Sequence, residues 1–291
     1  MKNQKLAYIY ALSAVLFWST AASAFKLTLR YTDVFGLLLF SSITSLAVLF
    51  VVLLVQGKFA LLCASSKRDV LRSFGVGLLN PFLYYIVLFK AYSLLPAQQA
   101  MTLNYTWPVM LVILSIPMLR QKITARSIAA VIISFTGVIV IATQGSLTSL
   151  RFSSPAGVVL AVGSSVIWAL FWILNVKDRR DEAVKLFFNF ASGTVFILIA
   201  SLLFSGITVP TLQAACGMVY IGLFEMGITF VLWLTALRLS KTTAQVSNLV
   251  YLSPFLSLFF IHTVVGETIA MPTIAGLVLI MSGIVMQRMV N

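Results

Sequence analysis

The sequence predicts an all-α polytopic membrane protein with ten transmembrane helices in two inverted five-helix repeats. Three observations carry this. The chain of 291 residues is 60% hydrophobic and only 9% charged, with mean hydropathy +1.05. Long runs carry no charge at all: Val34–Gly57, Ala91–Leu119, Ser127–Leu150, Phe152–Val176, Leu186–Phe224 and Thr268–Gln287. About 20 apolar residues cross a bilayer as a helix. Finally, the chain resembles itself. Pro108–Val140 overlies Pro254–Met286 without a gap, with Pro108 on Pro254, Ile128 on Ile274, Ala129 on Ala275 and Gly137 on Gly283. The stretch around Trp18 is likewise similar to that around Trp168.

The helices are expected at roughly 6–26, 34–55, 72–94, 97–119, 127–145, 155–176, 184–204, 214–237, 243–264 and 271–289. The first is not a cleaved signal peptide: it is long, contains Trp18 and lacks a small-residue cleavage pattern before a soluble domain. The next five are separate apolar stretches joined by short loops. The run Leu186–Phe224 is long enough for two spans, and Ser205–Gln213 (SGITVPTLQ) is the turn inside it. The ninth and tenth repeat the fourth and fifth. A membrane barrel would need period-two alternation, which these continuously apolar runs lack.

Five helices per repeat is an odd number, so the second repeat enters the membrane from the opposite side. The repeats divide as 1–147 and 148–291, with Thr143–Pro155 as the connection. Charge placement agrees. With a cytoplasmic N-terminus, sixteen of the twenty Lys and Arg fall inside, leaving Lys26, Arg30, Lys90 and Arg151 outside or near the outer ends. Basic residues in short loops favour the cytoplasmic side. The net charge of +13 is therefore topological, with some attraction to anionic lipid, and nucleic acid is not an expected partner. Cys63 and Cys216 match no metal spacing and are expected as small residues packed in helices.

Two five-helix repeats, a Trp in the first helix of each (Trp18, Trp168) and a Pro in the fourth of each (Pro108, Pro254) resemble the EamA family of the drug/metabolite transporter superfamily. Gly266-Glu267 and the glycines Gly276 and Gly283 fit the same pattern. Within that family, Asn104-Tyr105-Thr106-Trp107-Pro108 with Gln121-Lys122 is similar to bacterial aromatic amino-acid exporters. The first half departs at Gln121-Lys122, where an acid is usual, so no role of that acid carries over. The resemblance implies a secondary transporter of small metabolites, often an exporter. It suggests an amino acid or a similar amphipathic solute.

Pro108 and Pro254 are expected in mid-helix, as hinges at a broken helix or as static kinks. Asn80, Tyr84 and Tyr85 in the third helix, Asn104, Tyr105 and Trp107 in the fourth, and Asn248 and Tyr251 in the ninth are polar or amphipathic groups inside the bilayer. They are read as cavity lining or as glue between helices. Trp18 and Trp168 lie near mid-depth, suiting a cavity or the seam between repeats better than an interface belt. Trp172 extends the face of Trp168. Glu225 is the one carboxylate well within a span, for proton coupling, a substrate ammonium or a structural bond. Lys90 either snorkels or holds a substrate carboxylate. His262 suits a surface or packing role.

Enzyme templates fail, since no second His or acidic cluster supports a metal and no glycine loop cradles phosphate. No catalytic residue, metal or cofactor is expected. The expected partners are a small solute and membrane lipid, with proton coupling open and the protein a monomer or homodimer. The expected location is a bacterial-type inner membrane, with both termini cytoplasmic. The rival class is a non-transporting membrane partner or a lipid-handling protein on the same scaffold.

The topology is testable by labelling. A cysteine placed in Ser205–Gln213 should react with an impermeant reagent from outside, and one in Asp178–Glu182 should not. The reverse pattern would overturn the orientation.

Overall fold

The computed structural model describes residues 3–119, 125–146, 154–240, 246 and 248–288. All regular structure among them is helical. The α-helices are α1 (Gln4–Thr28), α2 (Val34–Val55), α3 (Phe59–Cys63), α4 (Lys67–Gly77), α5 (Tyr84–Leu94), α6 (Ala97–Asn104) and α7 (Trp107–Leu119). There follow α8 (Ala125–Ala142), α9 (Pro155–Val176), α10 (Glu182–Phe204), α11 (Leu212–Phe224), α12 (Ile228–Leu239), α13 (Ser253–Phe260) and α14 (Met271–Arg288). Among the described residues seven helical stretches are long and apolar enough to cross a membrane, and three shorter apolar ones stand at Ile128–Ala142, Leu249–Val265 and Met271–Met286. These stretches stand where the ten expected helices stand. The short α3 was not expected.

Helix starts are written in the sequence. Asn3, Asp33, Ser66, Ser154, Asp181 and Thr211 each accept a hydrogen bond from a backbone N–H of the first turn. Such caps satisfy donors that the helix cannot. Ser66 and Asp69 form a reciprocal capping box. Large apolar side chains such as Val55 and Leu203 stay exposed, as lipid-facing helices require.

The chain forms two compact units: Met1–Ile86 with Asp178–Val265, and Val87–Lys177 with Gly266–Asn291. Each draws helices from both sequence copies. In the first unit, α1 packs on α12 through Ala7, Ala11 and Ala14, a small-residue stripe that meets Trp233 and Ala236. Hydroxyls join other helices. Ser41 Oγ donates to the Met218 carbonyl at 3.0 Å, Ser45 Oγ to Met226 at 2.8 Å and Ser257 Oγ to Ser19 at 2.9 Å. Where lipid is as apolar as leucine, close backbones and such bonds hold helices together.

At the α9–α10 turn the same unit carries a charged network. Arg180 reaches Asp178 at 2.6 Å, the Ser73 hydroxyl at 2.8 Å and the Asp69 carbonyl at 3.0 Å. Lys58 pairs with Asp181 at 2.8 Å. Burial pushes the Asp178 carboxyl up, but the bonds from Arg180 outweigh it and hold the group below the ordinary carboxylate value.

In the second unit, α8 and α14 cross antiparallel. A Cβ on Gly137 would lie 2.5 Å from the Gly276 carbonyl, and one on Gly283 2.5 Å from the Ala130 carbonyl. The register that lays Gly137 on Gly283 lays Ala130 on Gly276, so each contact is the twin of the other. Ser134 Oγ bonds the Ile280 carbonyl at 3.3 Å near the centre of the crossing.

Pro108 and Pro254 do not lie in mid-helix. Each is the second residue of an α-helix that restarts after a break. The expected fourth helix divides at Tyr105 and Thr106, and in the described part of the ninth a 3₁₀ turn, Asn248–Leu252, runs into α13. Proline costs nothing at a helix start, where its missing N–H has no partner anyway. The cysteines also differ from expectation. Both Cys63 and Cys216 are exposed rather than packed.

The α8–α14 crossing leaves no room for a side chain at Gly137. Gly137→Val should cost about 1–3 kcal/mol, the scale of overpacking. It should lower the melting temperature of the solubilised protein. Gly163→Ala, whose Cβ would meet nothing within 4 Å, should not. Equal melting temperatures would show that the two helices are free to separate.

Candidate functional site

Four expected spans carry an interruption or a change of helix type, and candidate residues lie at each. The third helix is interrupted by a π segment, Leu78–Leu83, in which Asn80 takes an extended backbone (φ −147°, ψ 122°). The eighth divides between α11 and α12, where Glu225 is the cap and Gly227 has φ −116°, ψ −95°. The fourth and ninth divide before Pro108 and Pro254. These are the third and fourth helices of each copy, so the breaks come in matched pairs.

In the first unit, Asn80 is fully buried beside Pro81, and both polar atoms of its side chain have no hydrogen-bond partner. Gly193 of α10 packs so closely on Pro81 that an added Cβ would overlap the ring. Tyr85 donates its hydroxyl to Glu225 Oε1 at 3.3 Å. Tyr84 stands edge-on to Tyr85 at 4.7 Å. The structure thus brings Tyr84, Tyr85 and Glu225 together, and Tyr85 rather than Tyr84 holds the acid. The break at Glu225 keeps its carbonyls bonded: Thr229 Oγ1 donates to Phe224 and Ser45 Oγ to Met226.

Trp18 packs on Phe230 at 5.9 Å and Trp233 at 5.4 Å. It therefore joins helices from the two sequence copies. Tyr251 is half-buried in the 3₁₀ turn before Pro254. The side chain of Asn248 lies outside the described residues.

In the second unit, Asn104 Nδ2 donates to Ser164 Oγ at 2.8 Å, and Thr106 Oγ1 lies 3.0 Å from Ser165 Oγ. Asn104 thus bonds a neighbouring helix. Tyr105, Trp107 and Pro108 are half-buried at the same break. Trp168 stacks on Phe171 at 5.6 Å and meets Trp172 edge-on at 5.8 Å. The Trp172 indole nitrogen is buried without a partner. Lys90 and His262 are exposed.

Sequence reasoning missed Gln98 and underused Glu267. The Glu267 carboxylate accepts from the backbone N–H groups of Ala97 at 2.7 Å and Gln98 at 3.2 Å, at the start of α6. The Gln98 side chain donates to the Thr268 carbonyl at 2.9 Å and accepts from Ala270 N–H at 2.8 Å. An acid at a helix N-terminus satisfies orphan donors and the helix dipole together. The signal was present as Gly266-Glu267, but its partner lies far away in sequence. Among the described residues no His, Cys, Asp or Glu cluster could hold a metal.

The chain matches the EamA-like transporter family over residues 5–143 and again over residues 155–288. It belongs to that family. The protein is accordingly an all-helical, multi-pass membrane transporter. An uncharacterized transporter of Archaeoglobus fulgidus is 25% identical over 288 residues, covering 97% of this chain and 96% of its own length. An uncharacterized transporter of Bacillus subtilis, YvbV, is 27% identical over 71% of this chain and 68% of its own. A protein of Streptantibioticus cattleyicolor named as a probable terminal-alkyne amino-acid exporter is 27% identical, covering 92% and 88%. One crystal structure superposes with TM-score 0.68 at 20% identity over 99% of this chain and 98% of that one, a likeness of fold.

Asn80 holds a buried amide at a cost. An unpaired buried polar group costs about 1–3 kcal/mol. Asn80→Ala should therefore keep or raise the melting temperature of this EamA transporter while slowing its solute flux. A fall in melting temperature with unchanged flux would make Asn80 a packing residue.

Proposed function

We propose that this EamA-family chain is a secondary transporter, working as an exporter of small amphipathic metabolites with amino acids foremost. The observation that carries the reading is the matched set of broken helices. A break inside a bilayer is tolerated where backbone and polar side chains face protein or a water-filled cavity. Transporters built from inverted repeats place their solute at such discontinuous helices. In the first unit the breaks hold Asn80, Glu225 and Tyr251, and Trp18 and Tyr84 are among its aromatic side chains; in the second the break holds Tyr105 and Trp107, and Trp168 and Trp172 are among its aromatic side chains. Trp172 Nε1 and the Asn80 amide supply unused hydrogen-bonding atoms. Groups of these kinds suit a solute with a polar head and an apolar body.

In this reading alternating access works by movement at the broken helices, with Pro108 and Pro254 marking two of the points where they bend. The named exporter among the relatives supports amino acids as the first solutes to try. The basic-residue split supports a bacterial-type inner membrane with both termini cytoplasmic. The driving force is open between protons, exchange and the solute gradient, and Glu225 is the candidate for a proton-coupling group.

Flux into proteoliposomes, measured with a panel of amino acids and related metabolites, tests the reading. Saturable uptake of at least one solute is expected. Pro108→Ala and Pro254→Ala should stay inserted and transport more slowly. Glu225→Gln distinguishes the roles of the acid. If Glu225 carries a proton, exchange persists while dependence on a pH gradient is lost. If it holds an ammonium, exchange itself weakens. Absence of flux for the whole panel in folded, inserted protein would favour a non-transporting role.

A further inference from the structure

The first unit holds a cleft of about 470 Å³ between α1, α11 and the π turn Ile261–Val265 that follows α13. None of the residues discussed above as the transport site lines it. It runs along α1 from Tyr31 to Thr20, roughly 16 Å at about 1.5 Å per residue. Its floor is closed: Thr20 Oγ1 and Tyr220 OH are 2.6 Å apart. Beneath them the Tyr220 ring packs on Phe224 at 4.9 Å, and Phe224 on Phe17 at 4.6 Å. Neither Trp18 nor Glu225 is among the residues that line the cleft.

The lining decides what the cleft takes. It contains no Lys, Arg, Asp, Glu or His. A charged group placed there would lose its hydration without compensation. Most of the wall is apolar, from Ala24, Leu27, Phe260 and Val264. One polar group is spare: Ser23 is 3% exposed and its hydroxyl has no hydrogen-bond partner. The volume falls within the range of about 300–1,000 Å³ that small-molecule sites occupy.

We propose that this cleft is a binding site for an uncharged, largely apolar small molecule that forms one hydrogen bond with Ser23. Its lining shares no residue with the candidate transport site, and it stands whether or not the transport reading does. Such a ligand enters beside Cys216 and Gln213, and its polar atom meets Ser23 Oγ.

Cys216 lines the cleft and is exposed, so it reports on occupancy. The variant Cys63→Ser leaves it as the sole thiol. The rate of its alkylation by N-ethylmaleimide would be measured with increasing indole, an uncharged ring with one N–H. Indole should slow alkylation in a saturable way, both in detergent and in vesicles. Alkylation of Cys63 in the variant Cys216→Ser should not change. Ser23→Ala in the Cys63→Ser background should raise the half-protecting indole concentration about threefold or more, the scale of one neutral hydrogen bond. Ala24→Phe should fill the cleft and abolish the indole effect. An unchanged Cys216 rate at all indole concentrations overturns the proposal. So does protection that survives Ala24→Phe. Protection in detergent that vanishes in vesicles also overturns it, by assigning the cleft to a lipid chain. None of these outcomes depends on solute flux.

Discussion

A peptide group that leaves a helix inside a bilayer finds no water to bond, so it must be answered by protein. This chain meets that demand repeatedly. Ser45 answers the Met226 carbonyl, Thr229 the Phe224 carbonyl and Thr106 the Leu103 carbonyl. Asn104 and Ser164 hold the start of the next helix in place. The breaks of the fourth and eighth spans thus each carry a side-chain hydroxyl bond. Asn80 keeps both buried amide atoms unanswered beside the break in the third span. A buried polar group without a partner in so intolerant a solvent calls for an explanation, and this is what makes Asn80 a candidate solute contact.

The same solvent explains what holds the helices together. Burial of leucine against leucine gains little when the alternative is lipid. The contacts that matter here are small residues and hydroxyls: Ala7, Ala11 and Ala14 against α12, Ser41 and Ser45 against the neighbouring helix, and Gly137 against Gly276. Charges withdraw to the turns. Arg180, Asp178, Lys58 and Asp181 pair where α9 gives way to α10, outside the apolar windows. The acid at Glu267 is used in the same spirit, to close the N-terminus of α6.

Duplication shapes the packing in a way that chain order conceals. The α8–α14 crossing is self-complementary, because the contact of Gly137 is the repeat-related twin of the contact of Gly283. Two copies of one helix meet face to face and antiparallel, as inversion requires. Elsewhere the copies interleave. Trp18 from the first copy packs on Trp233 from the second. The compact units accordingly take helices from both copies.

The sequence by itself determined the class, the expected positions of ten spans and the repeat register. Hydropathy and charge are local properties, and a bilayer reads them directly. It also singled out the right neighbourhood for the breaks, since Pro108 and Pro254 mark two of them. Only the tertiary structure decided that these prolines begin helices, that Tyr85 holds Glu225, and that Glu267 caps a helix far along the chain. It also decided that the cysteines are exposed and that α1 and α11 enclose a cleft. The physical reason is common to all of these. Inside lipid nearly every helix face is apolar, so periodicity carries little record of which face meets which helix. The choice falls to individual hydroxyls, glycines and carboxylates whose partners are distant in sequence.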